Sequence, residues 1–167
     1  MEFNESSNFY GSLEGKIRSE LFGCEIWAVA KKCGEGYARR CTAHLDSMPD
    51  ELLETLQEAT LAYLIDLLDE HEGEYELPAH FFLDEESSAD EVMHWIKPQQ
   101  IVFDNGILSD DDAPPAFSIK LVFTPVPDEF IEWVVRDTTA VYVGEYNDIS
   151  PWNEKIMKKK WNYINAV

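Results

Sequence analysis

The stretch Ser47-Met48-Pro49-Asp50-Glu51-Leu52-Leu53-Glu54-Thr55-Leu56-Gln57-Glu58-Ala59-Thr60-Leu61-Ala62-Tyr63-Leu64-Ile65-Asp66-Leu67-Leu68-Asp69-Glu70 decides how the rest of the chain is read. Ser47 to Asp50 offers an N-cap, an early Pro and an acid in the first turn, three helix-start signals. Leu52, Leu53, Leu56, Ala59, Tyr63, Leu64, Leu67 and Leu68 then recur at helical spacing. The pattern predicts a long amphipathic helix with one face in a core, ending near Glu70.

On both sides of that helix the period changes. Upstream, Cys24-Glu25-Ile26-Trp27-Ala28-Val29-Ala30-Lys31 reads as a strand. Gly34-Glu35-Gly36 supplies turn chemistry, and residues 37–45 are expected to return as its hairpin partner. Residues 1–20 are polar and small, and read as an extended or loosely packed lead-in. Downstream, Ser88 with Glu91 makes a capping-box pattern, predicting a short helix over residues 89–96 that Pro98 stops. Residues 100–104 read as a strand running into the Asn105-Gly106 turn. Phe117, Ile119, Leu121 and Phe123 alternate with Ser118, Lys120, Val122 and Thr124, a period of two. Residues 131–136 and 140–145 read as a closing hairpin across Asp137-Thr138-Thr139; a short helix from Asp128 is the alternative. Ser150-Pro151-Trp152 is expected to start a C-terminal helix carrying Lys155, Lys158, Lys159 and Lys160. Strands at both ends with helices between them predict an α+β fold. Its mainly antiparallel sheet would carry the long helix and shorter helices on one face, within a single domain.

Composition agrees with a folded chain. Of 167 residues, 45% are hydrophobic and 13% aromatic, far more than a disordered acidic segment carries. Charge is the outlier: 33 acids against 13 bases give a formal net charge of -20. That balance disfavours nucleic acid and anionic membrane surfaces and favours a basic partner. No apolar run reaches the length of a membrane span. Met1-Glu2-Phe3-Asn4-Glu5 has neither a basic nor an apolar secretory region. Cys24, Cys33 and Cys41 form no Cys-x-x-Cys pair and read as reduced thiols, so a cytoplasmic protein is expected.

Sites for chemistry were sought among the same residues. His44, His71, His80 and His94 fit no metal-binding spacing, and each reads as a hydrogen-bonded or solvent-facing side chain. Asp104-Asn105-Gly106 with Asp110-Asp111-Asp112 lacks the alternating ligands and terminal Glu of a calcium loop, and reads as a turn and a polar loop. There is no Gly-x-Ser-x-Gly elbow and no phosphate loop. Cys41 and His44, placed on a strand, would point to opposite faces. The sequence therefore predicts no catalytic residue, no metal and no cofactor. A small hydrolase stays as a third reading behind two binding classes.

The charge is concentrated. Between Arg40 and Lys97 there is no Lys or Arg, while the interval holds sixteen acids. Glu51, Glu54, Glu58, Asp66 and Asp69 fall on the outward side of the predicted helix, many three or four residues apart. Like-charge neighbours at that spacing cost about 0.2–0.5 kcal/mol each. Asp66, Asp69 and Glu70 also sit in the last turns, where the helix dipole prefers cations by about 0.3–1 kcal/mol. Two readings follow: a solvated face that confers solubility, or a docking surface for a basic partner. The docking surface would comprise Glu54, Glu58, Asp66, Asp69, Glu70, Glu72, Glu74, Tyr75, Glu76, Asp84, Glu85 and Glu86. Tyr75, Phe81, Phe82 and Trp95 interleave with these acids, and Trp152 and Trp161 lie near the lysines. One or two of these six are expected to be exposed.

The acidic helix Asp50–Glu70, the base-free interval and the closing Val141-Tyr142-Val143-Gly144-Glu145 … Trp152 segment together resemble the immunity proteins of bacterial toxin systems. That last segment is similar to the final strand and turn of bacterial domain families found near toxin genes. The resemblance implies a small cytoplasmic α+β protein that occludes the active site of a basic toxin, commonly a nuclease. It carries no diagnostic motif and transfers no site residue. The competing class is a housekeeping or regulatory interaction module without a toxin partner.

Overall fold

The computed structural model describes residues 2–6 and 11–167. In chain order the strands are β1 (Phe3–Glu5), β2 (Leu13–Ser19), β3 (Cys24–Lys31), β4 (Ile96–Asp104), β5 (Ala116–Phe123), β6 (Phe130–Arg136) and β7 (Thr139–Glu145). Two α-helices, α1 (Glu35–Asp46) and α2 (Asp50–Glu70), lie between β3 and β4, followed by a 3-10 helix, Ala89–His94. Two more 3-10 helices, Glu154–Lys158 and Tyr163–Ala166, close the chain.

The strands form one sheet in sequence order. Every neighbouring pair is antiparallel except β3 and β4, which run parallel with Ala28 opposite Ile101 and Ala30 opposite Phe103. Parallel neighbours need a crossover, and α1, α2 and the first 3-10 helix supply it. The fold is α+β with a mostly antiparallel sheet.

Alternation along the strands sorts the two faces. Ile26, Ala28 and Ala30 of β3, Ile101 and Phe103 of β4, Phe117 to Phe123 at every second position of β5, and Ile131, Trp133 and Val135 of β6 are buried in one cluster. The same cluster takes Tyr37, Ala38, Cys41 and Leu45 from α1, and Leu52, Leu56, Ala59, Tyr63, Leu64 and Leu67 from α2. Both α-helices therefore cover one face of the sheet. Trp133 fixes the layer spacing, because its buried indole N–H donates to Thr60 Oγ1 at 2.7 Å.

The opposite face is closed over β6 and β7 by residues 146–158. Val134, Val141 and Tyr142 pack there against Ile156, with Ile149 and Met157 alongside. Beneath this cover lies Glu132, fully buried. Its carboxylate accepts the backbone N–H groups of Asn147 and Ile149, each at 3.0 Å. Burial raises its pKa to about 7, Asp148 adds to the rise, and the two N–H donors oppose it. Beyond Glu132 the chain crosses the free edge of β7, where Asn162 accepts from Val143 N–H at 3.2 Å and donates to Val141 C=O at 2.8 Å. A bare edge strand is thereby paired with side-chain amide groups.

Several local expectations are corrected. Residues 37–45 belong to α1 and not to a hairpin with β3. Tyr37, Ala38, Cys41, Thr42 and Leu45 are buried, a helical spacing, whereas a strand would have buried Arg39 and Ala43 with Cys41. Gly34 starts this helix at a close approach: its N–H donates to Asp110 Oδ2 at 2.7 Å, and a Cβ there would stand 2.9 Å from the same oxygen. Of the lead-in expected over residues 1–20, residues 1 and 7–10 lie outside the described residues; the rest is extended at β1 and β2 but not loosely packed, since residues 13–19 are fully paired to β3 with Ile17 and Ser19 buried. The predicted helix over residues 89–96 is a 3-10 helix that stops at His94, with both capping-box bonds of Ser88 and Glu91 made. Pro98 does not stop it. That proline lies inside β4, where the register to β5 shifts between Pro98 and Gln100, as a strand proline requires. The lysine-bearing C-terminal segment is two short 3-10 helices and extended chain, not one helix.

The closing hairpin forms as strands β6 and β7, not as a helix from Asp128. The Asp104–Asp112 loop is a turn and a polar loop whose side chains bond inward. Asp110 accepts from Gly34 N–H and Asn105 Nδ2, while Tyr37 Oη donates to Pro114 C=O at 2.8 Å.

Candidate functional site

Along one flank of α2 runs a trough. Two adjoining hollows of about 420 Å³ and 310 Å³ share Glu58 and Ala89. Asp50, Glu54 and Glu58 of α2 form one bank, and Glu85 and Asp90 the other. Between the banks lie Leu53, Leu61, Ala62, Ile65 and Ala89, together with Ser87, Ser88 and the buried Gln57. The helix places this set because residues four apart stack on one side: Glu54 with Glu58, Leu61 with Ile65. The 3-10 helix brings Asp90 opposite, and its capping box fixes that approach. None of these acids takes an ion pair among the described residues, where the ion pairs are Lys31–Asp104, Arg39–Glu35, His71–Glu74 and Arg136–Glu154.

Three of the twelve residues expected on a docking surface meet here: Glu54, Glu58 and Glu85. The others lie elsewhere. Asp66 is exposed and accepts the Tyr163 hydroxyl at 2.8 Å. Asp69 and Glu70 are exposed in the last turn of α2, and Glu72, Glu74 and Glu76 in the segment after it. Glu74 pairs with His71 at 2.8 Å, a bond that raises the His71 pKa. Tyr75 is half-buried and donates to Glu129 at 2.8 Å. Asp84 accepts the Glu86 N–H at 2.9 Å within its own turn, which leaves Glu86 exposed beside it. Asp50, Asp90 and the residues between the banks were not legible as site residues, since only the packing of residues 84–90 against α2 makes them one surface.

Of the six interleaved aromatics, Phe82 and Trp161 are exposed, at 65% and 48%, and the rest are half-buried. The C-terminal lysines do not neutralise the acidic helix: among the described residues none of Lys155, Lys158, Lys159 or Lys160 forms an ion pair. The C-terminal segment reaches α2 through Tyr163 instead, whose ring meets Tyr63 edge-on at 5.2 Å.

A second concavity sits at the free edge of β7. It measures about 450 Å³ and is lined by Tyr63, Tyr142, Glu145, Asn147, Trp161 and Tyr163. Nothing in the spacing of these residues announces a site, because they come from α2, β7 and the C-terminal segment.

The groups tested for chemistry are accounted for locally. Cys41 and His44 are on α1, where an i, i+3 pair shares a side, so the strand geometry expected for them does not hold. Burial pushes the Cys41 thiol up to about 11 and the Cys33 thiol up to about 12, which keeps both protonated at neutral pH. His44 Nε2 lies 2.7 Å from Asp137 C=O, and His80 stacks on Trp95 at 5.6 Å. Among the described residues no group of three His, Cys, Asp or Glu is arranged to hold a metal ion. No helix among them is long and apolar enough to cross a membrane. Compared with family models, curated proteins and solved structures, the chain matches none.

Proposed function

We propose that this chain is an acidic, cytoplasmic binding protein of the immunity class, acting as one domain to neutralise a basic bacterial toxin by occluding its active site. The observation that carries the reading is the trough: carboxylates without ion pairs on both banks of a floor that mixes five apolar side chains with Gln57, Ser87 and Ser88. In this reading α2 is an amphipathic helix whose outward acids are kept for a partner. Lys and Arg that a nuclease uses to hold phosphates would pair with Glu54, Glu58, Glu85 and Asp90, and an apolar or aromatic side chain would fill the floor. Desolvated contacts on the floor supply the residence time, and the outer acids at Asp69, Glu70, Glu72, Glu74, Glu76 and Glu86 raise the association rate.

The test is titration calorimetry with the product of the adjacent gene, at low and at physiological salt. A complex is expected whose affinity falls as salt rises, because exposed charges are screened within about 8–10 Å at 0.1–0.15 M. Glu54→Lys with Glu58→Lys should abolish binding and leave the toxin active. Absence of any complex at low salt sinks the immunity reading.

A further inference from the structure

The concavity at the β7 edge differs in kind from the trough. Four of its six lining side chains are aromatic and one is a carboxylate; no base lines it. The rings are held rigidly. Tyr142 and Trp161 meet edge-on with centroids 5.7 Å apart, and Tyr63 and Tyr163 do the same at 5.2 Å. Two of the hydroxyls are already committed: Tyr142 donates to Glu145 C=O at 2.6 Å, and Tyr163 to Asp66 Oδ2 at 2.8 Å. Tyr142 and Tyr63 are themselves buried, at 1% and 7%, so the rings offered to a ligand are those of Trp161 and the half-buried Tyr163. Trp161 contributes the most exposed ring.

The Glu145 carboxylate is exposed and takes no hydrogen bond or ion pair among the described residues. Other acids approach from the surrounding elements. Asp66 and Glu70 of α2 act on Tyr163, and Glu129 and Glu145 act on Tyr63; burial is the larger cause of both raised hydroxyl pKa values, and the acids add to it. The basic residues nearest in sequence, Lys159 and Lys160, are exposed and do not line the cleft. An open hollow with the π faces of Trp161 and Tyr163, one free carboxylate and a negative surround attracts a cation with an apolar skirt, since ring quadrupoles bind cations best where water is displaced. A metal ion would find one carboxylate and too few oxygens.

We propose that this cleft binds an organic cation, an alkylammonium or guanidinium head group, against the rings of Trp161 and Tyr163, with Glu145 as its counter-charge. Two sources present that chemistry: a free small-molecule cation, or a Lys or Arg side chain of a protein. The site does not depend on the trough, so it stands or falls separately from the immunity reading.

The experiment follows the indole N–H signals of the five Trp in a ¹⁵N-labelled sample of the full chain. Trp161→Phe assigns the relevant signal. Tetramethylammonium, choline and arginine methyl ester are titrated in one arm, and a basic lysine- and arginine-containing peptide in the other. Saturable movement of the Trp161 signal by the free cations points to a small-molecule ligand. Movement by the peptide alone points to a protein side chain. In either case Trp161→Ala and Glu145→Gln should each weaken binding about tenfold, a cation–π face or a counter-charge being worth that much in a partly desolvated site. The same titration on Glu54→Lys/Glu58→Lys separates the two surfaces: cleft binding should persist there even when partner binding at the trough is lost. No movement of Trp161 with either arm, movement that Glu145→Gln leaves unchanged, or calorimetric binding of the same cation that Trp161→Ala leaves unchanged overturns the proposal. Both variants alter exposed side chains, and an unchanged melting temperature shows that a loss of binding is not a loss of fold.

Discussion

The trough along α2 and the cleft at the edge of β7 are both acidic, yet they are built in opposite ways. In the trough Glu54 and Glu58 stand on a helix that gains nothing from them. They are neighbours of like sign, and no base answers either. In the cleft the Tyr142 and Tyr163 hydroxyls and the Asn147 amide are already hydrogen-bonded, and a single free carboxylate stands among packed rings. The trough is therefore a source of long-range attraction whose strength depends on salt. The cleft is a short-range site whose strength depends on geometry. Removing structure should damage the cleft first, and removing charge should damage the trough first.

The largest effect is expected at Asn162. It is buried, and its amide ties the segment carrying Trp161 and Tyr163 to the edge of β7. Asn162→Ala leaves Val143 N–H and Val141 C=O without their partners. Each stranded buried group costs about 1–3 kcal/mol, so a loss of roughly 2–4 kcal/mol is expected in urea unfolding. Cleft binding should vanish with it, and trough binding should survive wherever the variant is folded. A loss below about 0.5 kcal/mol, less than one net hydrogen bond, would mean that the edge is held by ring packing and not by the amide.

A smaller and pH-dependent effect is expected at Glu132, which holds Asn147 at the cleft wall. Its pKa is about 7 when folded against an ordinary value of 4.5. Below about pH 4.5 both folded and unfolded chains hold the proton. Between 4.5 and 7 only the folded chain does, so stability falls as pH rises across that window and flattens above about 7. The loss should be on the order of 1–3 kcal/mol, read as urea midpoints at pH 5 and pH 8. Glu132→Gln isolates the part due to this group, because it should flatten the difference while wild-type protein keeps it. If the two slopes coincide, Glu132 is not the titrating group.

What the sequence disclosed follows the same division. The period-two run of β5, the α2 spacing and the Ser88–Glu91 capping box are local signals: β5 and α2 lie where the signals put them, and the capping box marks the start of its helix though not its type or its end. The acids of α2 were legible because charge needs no partner to be read. Residues 37–45 were misread because Gly34 and Gly36 look like hairpin turn residues. The choice of helix is made by Cys41 and Leu45 finding the sheet core and by Asp110, 76 residues along, receiving the Gly34 N–H. The cleft was illegible for a like reason: its walls come from α2, β7 and the C-terminal segment, and only the tail crossing the β7 edge brings them together. Glu132 likewise reads as one surface acid among many until residues 146–158 cover it.

The smallest effect is expected from charge reversal on α2, and it has the opposite sign. Glu54→Lys, Glu58→Lys and Asp69→Lys together remove repulsions at helical spacing, and the last of the three puts a cation at the negative end of the helix dipole. Asp66 is left in place because it receives the Tyr163 hydroxyl. Summing a few tenths of a kcal/mol per site gives a gain of about 0.5–1.5 kcal/mol, or roughly 2–5 °C in melting temperature for a chain of this size. A wild-type helix that could be made more stable so simply is carrying a cost, and the partner proposed for the trough accounts for it. The variant should melt higher, keep organic-cation binding at the cleft, and lose the basic partner at the trough. Should it melt higher and still bind that partner with unchanged affinity and salt dependence, the acids of α2 serve solubility, and the trough is not where the partner docks.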